Sequence, residues 1–245
     1  MFKIMKQTVA GIALLAMTSL SQAESEVSYS ANLGFMSDYM YRGIHQSSSS
    51  AMGGFDIEYG SFYVGTWFAD LQEGGWEAPG DDSHRGFEYD VYAGFGFDLT
   101  DSISASVGYT IYRYTDKGAN AFDDDYDEVN LGLGFAISED ASIAIDYAVG
   151  ENTATDQSET DYDVLTIAVD YLGMYALFGT WGVSEDDTSA GEVDADWMEF
   201  GYSRTVGDFD LSGAFVLSEK ELASGSDSAE DGDFSRFIFS ISTGF

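Results

Sequence analysis

Cysteine is absent from the 245 residues. That excludes disulfides, thiolate metal centres, cysteine nucleophiles and a lipid anchor on cysteine. Proline occurs once, at Pro79, and histidine twice, at His45 and His84. Serine-based hydrolysis needs a positioned histidine. Both histidines fall in predicted loops, beside Ser47–Ser50 and Ser83, and no Gly-x-Ser-x-Gly occurs. No histidine cluster has metal-ligand spacing, so neither an enzyme nor a cofactor is expected. Basic side chains are scarce: 9 Lys and Arg stand against 44 Asp and Glu, a formal charge of −35. Nucleic acid is thereby excluded as a partner, since its binding needs a cationic face that releases counterions.

Long apolar runs are also missing after residue 20, so no transmembrane helix is expected. The start differs. Lys3 and Lys6 precede an apolar stretch over 9–20, and Ser21-Gln22-Ala23 supplies small residues after it. This pattern reads as a secretory signal over residues 1–23, cut between Ala23 and Glu24. The mature domain would be 24–245, with its formal charge moved from −35 to −37 by loss of the two lysines. Acidity on this scale can mean disorder, but disordered chains are poor in aromatics, and here Phe, Trp and Tyr make up 16%.

What is abundant is alternation. In "FEYDVYAGFGFDL", Phe87, Tyr89, Val91, Ala93, Phe95, Phe97 and Leu99 share one parity, while Glu88, Asp90 and Asp98 take the other. Period-two patterning of this kind predicts strands. Twelve follow, near 26–41, 51–59, 62–70, 86–98, 103–114, 126–137, 142–150, 161–171, 174–183, 195–204, 209–217 and 234–245. The third and ninth alternate poorly, which leaves ten as an alternative count. The connections alternate short and long: Gly60-Ser61, "TDS", "SED", Leu172-Gly173 and "TVGD" against "GIHQSSSS", "LQEGGWEAPGDDSHR" and other long acidic stretches. Tight turns at one end and long loops at the other are the habit of outer-membrane barrels. The fold class is therefore all-β, a transmembrane up-and-down antiparallel barrel in the outer membrane of a Gram-negative bacterium.

In hydrocarbon an unpaired backbone N–H or C=O costs several kcal/mol, and a closed sheet has no free edge. The apolar parity would meet lipid and lipopolysaccharide. Tyr29, Tyr59, Tyr109, Tyr147, Tyr171 and Tyr202 fall near strand ends on that parity, as interfacial girdles do. The polar parity would line the lumen with Asp56, Glu58, Glu88, Asp90, Asp146, Glu199 and Asp210, with Arg42 and Arg236 as the clear bases. A wet lumen of this charge favours cations or neutral solutes. The alternative is a closed barrel whose acidic loops bind surface partners or divalent cations, with "DDDYDE" at 123–128 and "EDD" at 185–187 as loose calcium sites. The last segment, "FIFSISTGF", places aromatics on alternate positions up to Phe245, an assembly signal that the barrel-assembly machinery would read by strand addition.

A set of short motifs resembles the TorF-type family of proteobacterial outer-membrane proteins, also called Gcw_chp. They are Ser37-Asp38-Tyr39, Tyr41-Arg42-Gly43, Gly53-Gly54-Phe55 and Tyr63-Val64-Gly65-Thr66-Trp67, followed by "YDVYAGFGFDL" and "GYTIYRYT". Met40 stands where that family often has Arg, and no proline follows Tyr112-Arg113-Tyr114. The resemblance implies an outer-membrane barrel and a channel, with no named solute. Asp38 and Arg42, four residues apart on one parity, are expected to pair at the outer rim of the lumen.

Overall fold

The structure is a computed structural model that describes residues 26–72, 85–115, 126–152, 160–183, 193–223 and 232–245. The signal segment, including Ala23 and Glu24, lies outside these residues. So do His84, the acidic residues 123–125 and the "EDD" at 185–187.

Twelve antiparallel strands close into one barrel. They are β1 (Val27–Tyr41), β2 (Ile44–Tyr59), β3 (Phe62–Gln72), β4 (Arg85–Thr100), β5 (Ile103–Tyr114), β6 (Tyr126–Ala136), β7 (Ala141–Asn152), β8 (Thr160–Tyr171), β9 (Met174–Val183), β10 (Val193–Val206), β11 (Phe209–Ser218) and β12 (Phe234–Gly244). Each pairs with its neighbours in sequence, and β1 closes on β12 from Asn32↔Gly244 to Met36↔Ser240. Ala31 and Phe245 extend that seam by exchanging both backbone hydrogen bonds, at 3.2 and 2.8 Å. The strands expected to be weak, β3 and β9, are continuous, so the count is twelve rather than ten.

The two faces divide as the alternation requires. One parity of β4, β5 and β6 carries Phe95, Val107 and Leu131 outward, with Phe95 at 54% and Leu131 at 48% exposed. All six tyrosines expected in the girdles are exposed as well. Water-soluble surfaces rarely carry an apolar belt around their whole circumference, so this belt is a lipid-facing surface. The other parity holds small and polar groups, among them Ser106, Thr166, Ser212 and Ser240, all buried. At Gly94 a side chain is strongly disfavoured, because a Cβ there would sit 2.4 Å from the Val107 backbone carbonyl oxygen and 2.3 Å from the Tyr63 hydroxyl.

Leu131 sits at the midpoint of β6. Leu131→Arg is predicted to destabilise the barrel by about 2–4 kcal/mol, the cost of a guanidinium at the bilayer midplane. Urea titration of protein folded into lipid vesicles reads this directly.

Two-residue turns or short links at 60–61, 101–102, 137–140, 172–173 and 207–208 gather at one end. The opposite end carries the long connections, with one correction. "GIHQSSSS" is not a loop: β1 turns into β2 through Arg42 and Gly43 alone, and β2 begins at Ile44. The backbone at Arg42 (φ 48°) and Gly43 (φ 82°) is left-handed at both positions, the two-residue hairpin geometry whose twist matches its strands.

Candidate functional site

The β1–β2 hairpin is longer than the wall it belongs to. β1 and β2 pair with one another from Val27↔Tyr59 to Tyr41↔Ile44. Pairing of β1 with β12 stops at Met36, and pairing of β2 with β3 stops at Met52. Residues 37–51 therefore form an arm that leaves the wall. A serine stands at each departure point and replaces a ladder bond. Phe239 N–H donates to Ser37 Oγ at 3.0 Å, and Ser50 Oγ donates to the Asp70 carbonyl at 2.7 Å. A shift in register at Tyr39/Met40 bends the arm.

The arm crosses the lumen. From its tip, Tyr41 Oη donates to Tyr112 Oη on β5 at 2.8 Å. The Arg42 guanidinium grips Glu128 on β6 with both nitrogens, at 2.5 and 3.0 Å. Trp181 Nε1 on β9 donates to the Arg42 carbonyl at 2.9 Å, and Ser218 Oγ on β11 donates to the Gly43 carbonyl at 2.7 Å. A Cβ at Gly43 would meet the Trp197 side chain of β10 at 2.7 Å. One turn thus touches five strands on other parts of the wall, and a glycine is needed there for both space and conformation.

Glu128 is the anchor. It is 1% exposed and accepts from Tyr112 (3.1 Å), Tyr162 (2.9 Å) and Asn130 (3.0 Å) as well as from Arg42. A buried carboxylate of this kind is tolerable only because every lone-pair direction is met and a guanidinium neutralises it. The guanidinium also lies 4.9 Å from the Tyr41 ring and 5.7 Å from the Trp181 ring, within cation–π range. The expected Asp38–Arg42 pair does not form. The turn points Arg42 across the barrel to Glu128, while Asp38 stays in the arm and accepts from Ser48 Oγ at 3.3 Å, with His45 Nε2 3.4 Å away.

Below the arm, toward the short-turn end, lies a cavity of about 790 Å³. Tyr41, Arg42 and Tyr112 form its roof, and Gly60, Ser61, Gly207 and Asp208 line it at the barrel end. Six carboxylates line it, those of Asp56, Glu58, Asp98, Asp146, Asp208 and Asp210; Arg42 is the one base among its lining residues. Asp56 accepts from Tyr92 at 2.5 Å, Glu58 from Ser28 at 3.4 Å and Asp210 from Thr205 at 2.6 Å. These bonds fix the carboxylates on the wall without neutralising them.

The remaining residues expected in the lumen lie beside the arm or farther round the wall. Glu88 is buried and accepts from Tyr39 Oη at 3.2 Å, whereas its Oε2 and the Oδ1 of nearby Asp90 have no partner among the described residues. Glu199 is buried and accepts from Tyr175. Arg236 reaches the Ser235 carbonyl at 3.2 Å, with its guanidinium 5.9 Å from the Phe234 ring. Glu128 escaped the sequence reading because it closes the acidic run 123–128, which looks like a hydrated rim. Its parity, opposite to lipid-facing Val129 and equal to Asn130, was the signal that places it inside.

Comparison with solved structures returns outer-membrane porins among its matches. The structure superposes on the KdgM porin with a TM-score of 0.54 at 10% identity, covering 88% of this chain and 99% of that one. A second match, "KdgM porin in complex with disordered oligogalacturonate", gives a TM-score of 0.53 at 9% identity over 88% and 99%. At such identity the likeness concerns the fold. A search of curated proteins returned no match. Residues 20–245 match the model described as "Bacterial protein of unknown function (Gcw_chp)", and the chain belongs to that family.

Proposed function

We propose that this protein is an outer-membrane porin that passes small cationic or neutral solutes by diffusion. The observation that carries this reading is the lining of the cavity: six carboxylates against one guanidinium that is already committed to Glu128. Low-dielectric walls around like charges focus the field, raise the local cation concentration and repel anions. The apolar belt and the porin-like fold support the membrane setting. Oligogalacturonate, named with KdgM, is a polyanion, and an acid-lined lumen is the wrong environment for it. Specificity therefore does not transfer with the fold.

Planar bilayers test the proposal. Stepwise conductance with a zero-current potential of the cation-selective sign, under a potassium chloride gradient, is the expected result. Anion selectivity would overturn it. The hairpin across the lumen favours a second reading, a sealed barrel that offers acidic outer loops to divalent cations or surface partners. Persistent silence in bilayers, together with calcium binding that is lost when the outer loops are shortened, would establish that reading instead.

A further inference from the structure

Sequence and structure disagree about where residues 37–41 belong. Tyr29, Leu33 and Phe35 of β1 face outward. By the same parity Ser37, Tyr39 and Tyr41 should also face lipid, two of them as interfacial aromatics, with Asp38, Met40 and Arg42 facing the lumen. In the structure Tyr39 is instead 2% exposed and packed on Trp67, 5.4 Å between ring centroids. Meanwhile the outer part of β12 runs on to Phe234, although β1 leaves it at Met36. Phe239 N–H points at the missing strand and makes do with a serine hydroxyl. On the other flank β3 continues to Gln72, beyond its last rung with β2 at Met52↔Ala69.

The wall therefore contains a seam whose edges match the strand that has left it. Extending the β1–β12 register sets Tyr39 opposite Phe237 and Tyr41 opposite Ser235. The β12 flank would gain partners for Ser37–Tyr41 and the described end of β3, Asp70–Gln72, partners for Ser49–Ala51, while the hairpin's internal pairing can stay intact through the move. The docked position is also imperfect. Gln46 Nε2, Glu88 Oε2 and Asp90 Oδ1 are buried without partners among the described residues, and these atoms lie on the arm or on the wall it covers. Unpaired buried groups favour any state that rehydrates them.

We infer that residues 37–51 are a two-position gate: docked, the hairpin blocks the lumen and leaves the seam unpaired; zipped into the seam between β12 and β3, it completes the wall and opens the lumen. The inference rests on the porin reading only for the consequence, flow of solute, and not for the movement itself. Bistable elements of this kind have two discrete packings rather than a continuum.

The chain has no cysteine, which makes disulfide trapping clean. The double variant Tyr39→Cys/Phe237→Cys carries its thiols on the two sides of the wall when the hairpin is docked, since Phe237 is 65% exposed to the outside. In the zipped state they become directly opposed, at a Cα separation a disulfide can bridge. Tyr41→Cys/Ser235→Cys tests the next in-register pair, and Tyr39→Cys/Ser235→Cys is the out-of-register control. Each is folded into lipid vesicles and oxidised mildly. The expected result is a reducible mobility shift with loss of both thiols in the two in-register pairs, and slower reaction in the control. The trapped forms should also show long open steps in bilayers that vanish on reduction. No crosslink in either in-register pair, in barrels that retain heat-modifiable migration, would overturn the gate. Crosslinking with silent bilayers would uphold the movement and overturn the porin reading.

Discussion

Replacing Glu128 by alanine is expected to raise open probability by about two to four orders of magnitude. The substitution leaves the Arg42 guanidinium in the lumen without its counter-ion and removes the acceptor shared by Tyr112, Tyr162 and Asn130. Breaking one half of a buried ion pair costs about 3–5 kcal/mol, and each ~1.4 kcal/mol is a factor of ten in an equilibrium. The cost falls on the docked hairpin alone, because an undocked Arg42 regains water. The control is the double variant Arg42→Met/Glu128→Gln. It removes both charges while keeping similar volume, and swaps of this kind are often near neutral. Single-channel recording of wild type, Arg42→Met, Glu128→Gln and the double variant yields a cycle with a large coupling term. Equal open probabilities throughout would mean that the pair does not hold the arm.

The second large effect concerns selectivity. Asp56→Lys with Asp210→Lys changes the sign of two of the six carboxylate positions that line the cavity. A unit charge about 4 Å from a passing ion is worth ~1 kcal/mol at the dielectric of water and ~4 kcal/mol at the value typical near protein surfaces. Two reversals leave four carboxylates against two lysines, so the zero-current potential is expected to fall most of the way from its cation-selective value toward zero. Asp56→Asn with Asp210→Asn should land between. An unchanged potential in both variants would show that current does not pass through this cavity. The effect should shrink as salt rises, since screening shortens to about 3 Å at 1 M.

Most of the barrel could be read from the chain because the bilayer imposes one rule on every strand. A residue facing lipid must be apolar, its neighbours need not be, and the backbone between them must be fully paired. Phe87 to Leu99 obey that rule so regularly that strand, face and lumen follow together. The strand count followed only to between ten and twelve, since β3 and β9 alternate weakly and a sheet of either number can close; the structure fixes it at twelve. The hairpin did not follow, for two physical reasons. Tyr39 and Tyr41 continue the lipid-facing parity of β1, so local pattern alone keeps them in the wall. "HQSSSS" carries no apolar parity at all and looks like a loop, yet within a polar lumen a strand has no need of one. What turns the arm inward is the contact of Arg42 with Glu128, 86 residues away, and no local window contains both. The acidic lining residues Asp56, Asp146 and Asp210 were legible by parity. The roof of the cavity was not, because it is built by that long-range pair.

The arrangement of the arm ties these properties together, and its most direct test is whether Arg42 meets Glu128 in a bilayer. Solid-state NMR on lipid-embedded protein, with ¹⁵N in the arginine side chains and ¹³C in the glutamate and aspartate carboxyls, reports that contact as a dipolar coupling. A strong Arg42–Glu128 coupling that disappears in Glu128→Gln/Arg42→Met is the predicted result. A strong Arg42–Asp38 coupling with none to Glu128 would contradict the account, since it would put the hairpin at the rim and leave the lumen open.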